Sequence, residues 1–283
     1  MQTVKLDKIT ATGLRRGGRL LWWPALLLLT GCSVVVRQDG APPAGGVDLS
    51  SIPDAVPRVE PRSKYGNPKS YQVNGRRYYV MNSSAGYVER GIASWYGNKF
   101  HGNRTSSGET YNMYAMTAAH KSLPLPTWVE VTNLGNGRQV VVKVNDRGPF
   151  HENRLIDLSY AAAAKLGIIK NGTGLVEVRA IDPRTWGRQA RSVPVSNEIP
   201  AGKGGNPDFY IQVGAFSSLI NAKNLRSRLA VMTLGMVRIS EAVVKGNHVF
   251  RVQIGPVNDV DTADRIVSEL NRLGVFDHHI VFD

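Results

Sequence analysis

The sequence predicts a compact, mainly β barrel followed by an α+β domain of ferredoxin-like βαββαβ order. Between residues 86 and 186, short runs rich in Val, Ile, Thr and aromatic residues recur with turn signals between them, and one Ala-rich helix interrupts them. Between residues 208 and 283 the apolar period changes from 2 to 3.6 and back, twice. Pro-, Gly- and Ser-rich stretches bracket the first segment, and 42% hydrophobic content with 8% aromatics suits folded domains.

The elements follow in chain order. Lys5, Lys8, Arg15, Arg16 and Arg19 precede an apolar run from Leu20 to Leu29, too short to span a bilayer comfortably, so residues 1–31 read as an export signal. It ends in Leu29-Thr30-Gly31-Cys32, which resembles a bacterial lipobox. That resemblance implies cleavage before Cys32, acylation of its thiol and a lipid anchor in the membrane. Ser33 suits delivery to the outer membrane, since Asp at that place favours retention at the inner one.

Residues 32–85 hold Pro42, Pro43, Pro53, Pro57, Pro61 and Pro68 and read as an extended tether carrying a small hairpin around Asn74-Gly75. In the barrel segment, 86–186, strands are expected at 87–96, 128–133, 138–146 and 174–181. Ser159 caps a helix from Ala161 to Leu166 that Gly167 stops. Residues 187–207 form a linker, and 208–283 the βαββαβ domain, with helices at 218–231 and 260–273.

The net charge of +13 first suggests an anionic partner. Its distribution argues otherwise: the export signal holds +4 of it, and residues 208–283 carry eight basic and eight acidic side chains. A βαββαβ module of zero net charge lacks the cation excess that a phosphate backbone requires, so nucleic acid is not expected as a partner. The single Cys excludes an intramolecular disulfide framework. His101, His120 and His151 show no metal-ligand spacing, and Gly172-Thr-Gly174 lacks the lysine of a phosphate loop, so neither metal nor cofactor is expected.

Three motifs remain: His101-Gly-Asn-Arg-Thr-Ser-Ser-Gly-Glu109, Ala118-Ala-His120-Lys-Ser-Leu-Pro, and Val144-Asn-Asp146-Arg-Gly-Pro-Phe150. Taken singly, Glu109 reads as a solvated loop carboxylate, His120 as a core histidine and Asp146 as the cap of a turn. Together, in this order, they resemble the rare lipoprotein A family, with its expansin-like double-psi β-barrel, and residues 208–283 resemble the SPOR peptidoglycan-binding domain. The resemblance implies an endolytic peptidoglycan lytic transglycosylase that cuts the MurNAc-GlcNAc bond of peptide-free glycan strands. It also implies a 1,6-anhydroMurNAc product and action at the division septum, on the periplasmic face of the outer membrane. Asp146, Glu109 and His120 then fall on the family's functional positions. The alternative class is a non-catalytic, expansin-like wall-binding lipoprotein.

The chemistry needs few groups. An oxocarbenium-like transition state calls for one acid at the leaving oxygen and one negative group near the ring, and when the muramic 6-hydroxyl attacks, the same residue serves as acid and then as base. Alternation along 140–147 sets Val140, Val142, Val144 and Asp146 on one face and Arg147 on the other, which makes Asp146 the expected acid, its pKa raised by partial desolvation. His120 is expected to hydrogen-bond a carboxylate. Trp95, Tyr96 and Phe100 are expected to offer ring faces to sugars, and Gln212, Phe216, Ser217, Arg251 and Gln253 to line a glycan groove in the second domain.

Overall fold

The computed structural model describes residues 39–42, 47–151, 153–186, 207–231, 235–244 and 246–282. The export signal, Cys32 and nearly all of the expected linker lie outside them. Strands β1 (Ser70–Val73) and β2 (Arg76–Tyr79) form the hairpin, with Asn74 and Gly75 both at positive φ as a two-residue turn of this kind demands. The barrel strands are β3 (Val88–Tyr96), β4 (Thr117–His120), β5 (Thr127–Asn133), β6 (Gln139–Asp146), β7 (Arg154–Ser159) and β8 (Gly174–Ala180).

These six close in the order β3-β7-β4-β6-β5-β8, with parallel pairs β3–β7 and β4–β6 among antiparallel ones. Val129, Val131, Val140, Val142, Val144, Ile156, Leu158, Val176 and Val178 fill the interior, as the period of 2 requires. Helix α1 (Tyr160–Leu166) follows β7 directly; Ser159 Oγ accepts from the Ala162 amide, and Gly167 ends it at φ 80°. The barrel is a double-psi β-barrel.

The stretch expected as a tether is partly a strap on this barrel. Ala55 N donates to Val141 O, the Trp128 indole to Arg58 O and Ser63 N to Leu125 O, while the Asn67 side chain brackets both backbone groups of Leu125. Its prolines remove donors that an extended strap does not need.

The C-terminal domain runs β9 (Phe209–Phe216), α2 (Leu219–Ala230), β10 (Val237–Val244), β11 (Asn247–Val257), α3 (Val260–Arg272) and β12 (His279–Phe282), the βαββαβ order the periodicity predicts. Its sheet order is β10-β11-β9-β12, and both helices cover one face through Ala222, Leu229, Ala263, Ile266, Val267 and Leu270. Ile92 and Leu175, paired on the outer wall of the barrel, join this second core. Arg154 holds Asp264 of α3 through two bonds of 2.9 and 2.7 Å.

Candidate active site

Residues 97–116 fold as a loop over the outer wall where β3, β7, β4 and β6 lie side by side. The loop has a small core of its own: Tyr96 stacks on Tyr111 at 4.2 Å, Tyr111 Oη donates to Tyr96 O, and Met113 and Ala119 complete the cluster. Tyr96 is only 7% exposed, so it is a foundation of the loop and not the sugar platform expected of it. Trp95 packs on Tyr160 and the barrel core. The open ring surfaces belong to Phe100, 41% exposed at one side of the loop, and to Tyr65 of the strap, 57% exposed beside Gly108.

Asp146 does not continue the inward row of β6. Val144 pairs with Ala118, but Asp146 pairs with Ala119, so Asn145 is an extra residue and the alternation shifts by one. This is the effect of a β-bulge, which re-aims a side chain at the end of a strand. The Asp146 carboxylate instead meets the loop. Its Oδ1 accepts from Ser106 N at 2.7 Å, Ser106 Oγ at 2.6 Å and Arg147 N at 2.7 Å, three donors on one oxygen. The Arg147 guanidinium points away, as alternation predicts, to the carbonyls of Gly66, His120 and Leu123.

A further carboxyl, not singled out from the sequence, shares this wall. Asp157 on β7 pairs with Ala119 on one side and Ser94 on the other, so Ala119 is flanked by Asp146 and Asp157. Register partners present their side chains to the same face of a sheet, about 10 Å of backbone apart across two strand spacings. Ser94 Oγ donates to Asp157 Oδ1, and Oδ2 faces Gly148 so closely that an added Cβ there would lie 3.8 Å from it. Burial pushes this carboxyl above the usual range, against the Ser94 hydrogen bond and the charges of Arg154, Lys121 and His151. Asp157 nonetheless keeps partial solvent contact.

Glu109 closes the other side of the loop. It accepts from Lys143 Nζ at 2.8 Å and from Asn145 Nδ2 at 2.8 Å, and Lys143 also binds Glu60 of the strap at 2.8 Å. Burial works to raise its pKa, but these two donors and the charge of Lys143 outweigh it and hold the carboxyl low. Glu109 is therefore an anion at neutral pH, and Lys143 is held protonated by its two carboxylate partners against the cost of burial.

His120 is placed differently from the expectation. Its Nδ1 accepts from Ser122 N at 3.2 Å and Leu123 N at 3.0 Å, and its Nε2 lies 2.9 Å from Tyr87 Oη. Both ring nitrogens are thus engaged away from Asp146 and Glu109. Burial first, then Lys121 and Arg147, pull its pKa down to about 3.

In the C-terminal domain Gln212 and Gln253 are direct cross-strand partners on the sheet face opposite the helices, in a row with Arg238 and His279. Arg238 lies over the Tyr210 ring at 3.4 Å and donates to Gln253 Oε1 at 2.9 Å, a pairing the sequence reading missed. Arg251 pairs with Ala215, and Ser217 is exposed just past the strand. Phe216 departs from its expected place. A register shift at Val213 turns it to the helix face, where it pairs with Phe250 and packs beside Leu225.

Among the described residues no group of three or more His, Cys, Asp or Glu side chains is placed to hold a metal ion. No described helix is long and apolar enough to cross a membrane.

Residues 88–178 match the family described as lytic transglycolase, and residues 205–281 match the SPOR domain. A relative from Pseudomonas aeruginosa, named endolytic peptidoglycan transglycosylase RlpA, is 40% identical over 81% of this chain and 80% of its own. The Vibrio cholerae protein of the same name is 38% identical over 88% of this chain and 91% of its own. The crystal structure of the SPOR domain of the Pseudomonas aeruginosa RlpA aligns with 26% of this chain and 99% of its own at 28% identity, with a TM-score of 0.26. A barrel that matches the lytic transglycolase family, an α+β domain that matches SPOR, and relatives of this identity over most of their length together show that this chain belongs to the RlpA family of endolytic peptidoglycan transglycosylases.

Proposed function

We propose that the protein is a lytic transglycosylase that cuts the MurNAc-GlcNAc bond within peptide-free glycan strands and leaves a 1,6-anhydroMurNAc end. The observation that carries this reading is the division of labour among three neighbouring carboxyls, two on the wall and one on the loop over it: burial raises the pKa of Asp157, Glu109 is held as an anion, and Asp146 is an acceptor of three hydrogen bonds. Environments that push titratable groups apart assign the acid.

In this mechanism Asp157 gives its proton to the glycosidic oxygen as the C1–O bond breaks. Asp146 faces the positive charge that develops on the muramic ring, with the Glu109 anion held at the side of the same loop. The 6-hydroxyl oxygen of the same sugar then bonds to C1, and its proton returns to Asp157, so no water is consumed. Phe100 and Tyr65 offer ring faces to sugars on the two sides of the cut.

The second domain holds the enzyme on its polymer. The row Arg238, Gln253, Gln212 and His279 with Tyr210 mixes hydrogen-bonding and aromatic surface with one cation, which suits a sugar strand whose peptide-free muramic units each carry a lactyl carboxylate. Arg238→Ala is expected to weaken binding of the full chain to peptide-free glycan by about tenfold, while the rate on short soluble strands stays unchanged; equal binding in a sedimentation assay contradicts it. The lipobox, Ser33 and the SPOR match support an exported lipoprotein on the periplasmic face of the outer membrane, enriched at the septum.

The test of the reaction is mass spectrometry of digests of peptide-free strands. Products lighter by one water than hydrolysis products carry the anhydro end. Reducing ends would make the protein a hydrolase, and intact strands despite binding would favour an expansin-like role.

A further inference from the structure

The bonds around His120 are complete enough to fix its tautomer. Nδ1 accepts from two backbone amides, Ser122 N and Leu123 N, so it carries no proton. In the neutral ring the proton is then on Nε2, which donates to Tyr87 Oη, and Tyr87 Oη donates in turn to Glu89 Oε2 at 2.9 Å. The ring is 2% exposed, and the amide of Leu123 belongs to a residue with no exposed surface. Protonating Nδ1 would cost both amides their acceptor, the Leu123 amide in a buried place and the Ser122 amide in a half-buried one, and the charges that face the ring are of both signs: Lys121 and Arg147 against Glu89.

The turn that Nδ1 closes has a further connection. Its carbonyls at His120 and Leu123 both accept from Arg147 Nη1, at 3.1 and 2.5 Å. The same guanidinium donates to Gly66 O at 2.9 Å and to Asn67 Oδ1 at 3.3 Å, and it lies over the Tyr71 ring. Arg147 is therefore held from its side-chain end, and its amide is one of the three donors on Asp146 Oδ1.

We propose that His120 is a positioning residue and not a proton carrier: with Tyr87 and Glu89 it sets the 120–123 turn, the turn seats Arg147, and Arg147 holds Asp146 in place. The proposal rests on Asp146 as a site carboxylate, but its first test is made on the resting protein and does not depend on the reaction assigned above. In ¹⁵N-labelled full-length protein, His120 is expected as the Nε2–H tautomer with unchanged shifts from pH 8 to pH 5. An imidazolium forming within that range, or the Nδ1–H tautomer, overturns it.

The second test uses two amides as partial mimics of the ring. His120→Asn puts an oxygen where Nδ1 stands and can accept from Ser122 N and Leu123 N; His120→Gln reaches the Nε2 end and cannot. Expected is a kcat for His120→Asn within about tenfold of the wild type, and losses of about 100-fold or more for His120→Gln and His120→Ala, with KM little changed. If Asn is as inactive as Ala, or Gln is the variant that works, His120 acts through its Nε2 proton and the proposal fails.

Discussion

Asp157→Asn is expected to stop cleavage and to make the folded protein more stable at neutral pH. The loss follows from removing the one carboxyl of the wall whose pKa burial raises, and general acid catalysis is worth about 10²- to 10⁴-fold. Asn keeps the acceptor for Ser94 Oγ but has no proton to give. The stability gain has the opposite origin. A carboxyl whose folded pKa lies above its unfolded one contributes stability below the unfolded value and loses it as the pH rises through the folded value. At pH 7 the wild type therefore bears the cost of burying an ionisable carboxyl, which the variant lacks, and at pH 4 the difference closes. Thermal unfolding at the two pH values, together with a glycan digest, checks both halves. A variant that cleaves normally, or one whose stability falls most at pH 7, contradicts the assignment of the acid.

That assignment shows where sequence reasoning stopped. The inward row Val140, Val142 and Val144 was readable because alternation is a local property, and the barrel and the βαββαβ domain follow from such local patterns. Asp146 stands out in the sequence by its motif, but its orientation depends on the bulge at Asn145, and that bulge exists only in the pairing of β6 with β4, more than twenty residues away in the chain. Phe216 failed for the same reason: one shifted residue in β9 against β11 exchanges the two faces of the sheet.

Asp157 was harder still. Its strand, Arg154–Ser159, is six residues long and runs straight into α1, and the reading stopped at the Ser159 cap and the Ala-rich helix after it. Its place in the proposed site comes from lying beside Ala119 and Ser94, residues of two other strands, and no spacing in one sequence reports that. The signal that was available is a carboxylate between Ile156 and Leu158, since an acid set between core residues must face a partner or a groove. Tyr65 was overlooked because the Pro-rich stretch around it reads as a tether, whereas its backbone groups are bonded along the barrel.

Asp146→Asn separates charge from shape at the second carboxylate. Oδ1 of the asparagine still accepts from Ser106 N, Ser106 Oγ and Arg147 N, so the loop and the strand end keep their contacts. What disappears is the negative charge opposite the muramic ring, and with it the stabilisation of the oxocarbenium-like transition state, worth about 10²- to 10³-fold for a single preorganised group. The ground-state sugar carries no such positive charge, so glycan binding should change by less than about threefold. Cleavage and binding measured on the same strands give the comparison: a loss of kcat at constant affinity places Asp146 in the transition state. Asp146→Ala, by contrast, leaves Ser106 N, Ser106 Oγ and Arg147 N without their shared acceptor, so it should also loosen the loop that carries Glu109 and lower affinity as well as rate. Equal effects of Asn and Ala on binding would mean that the carboxylate holds substrate directly, and that the loop does not depend on it.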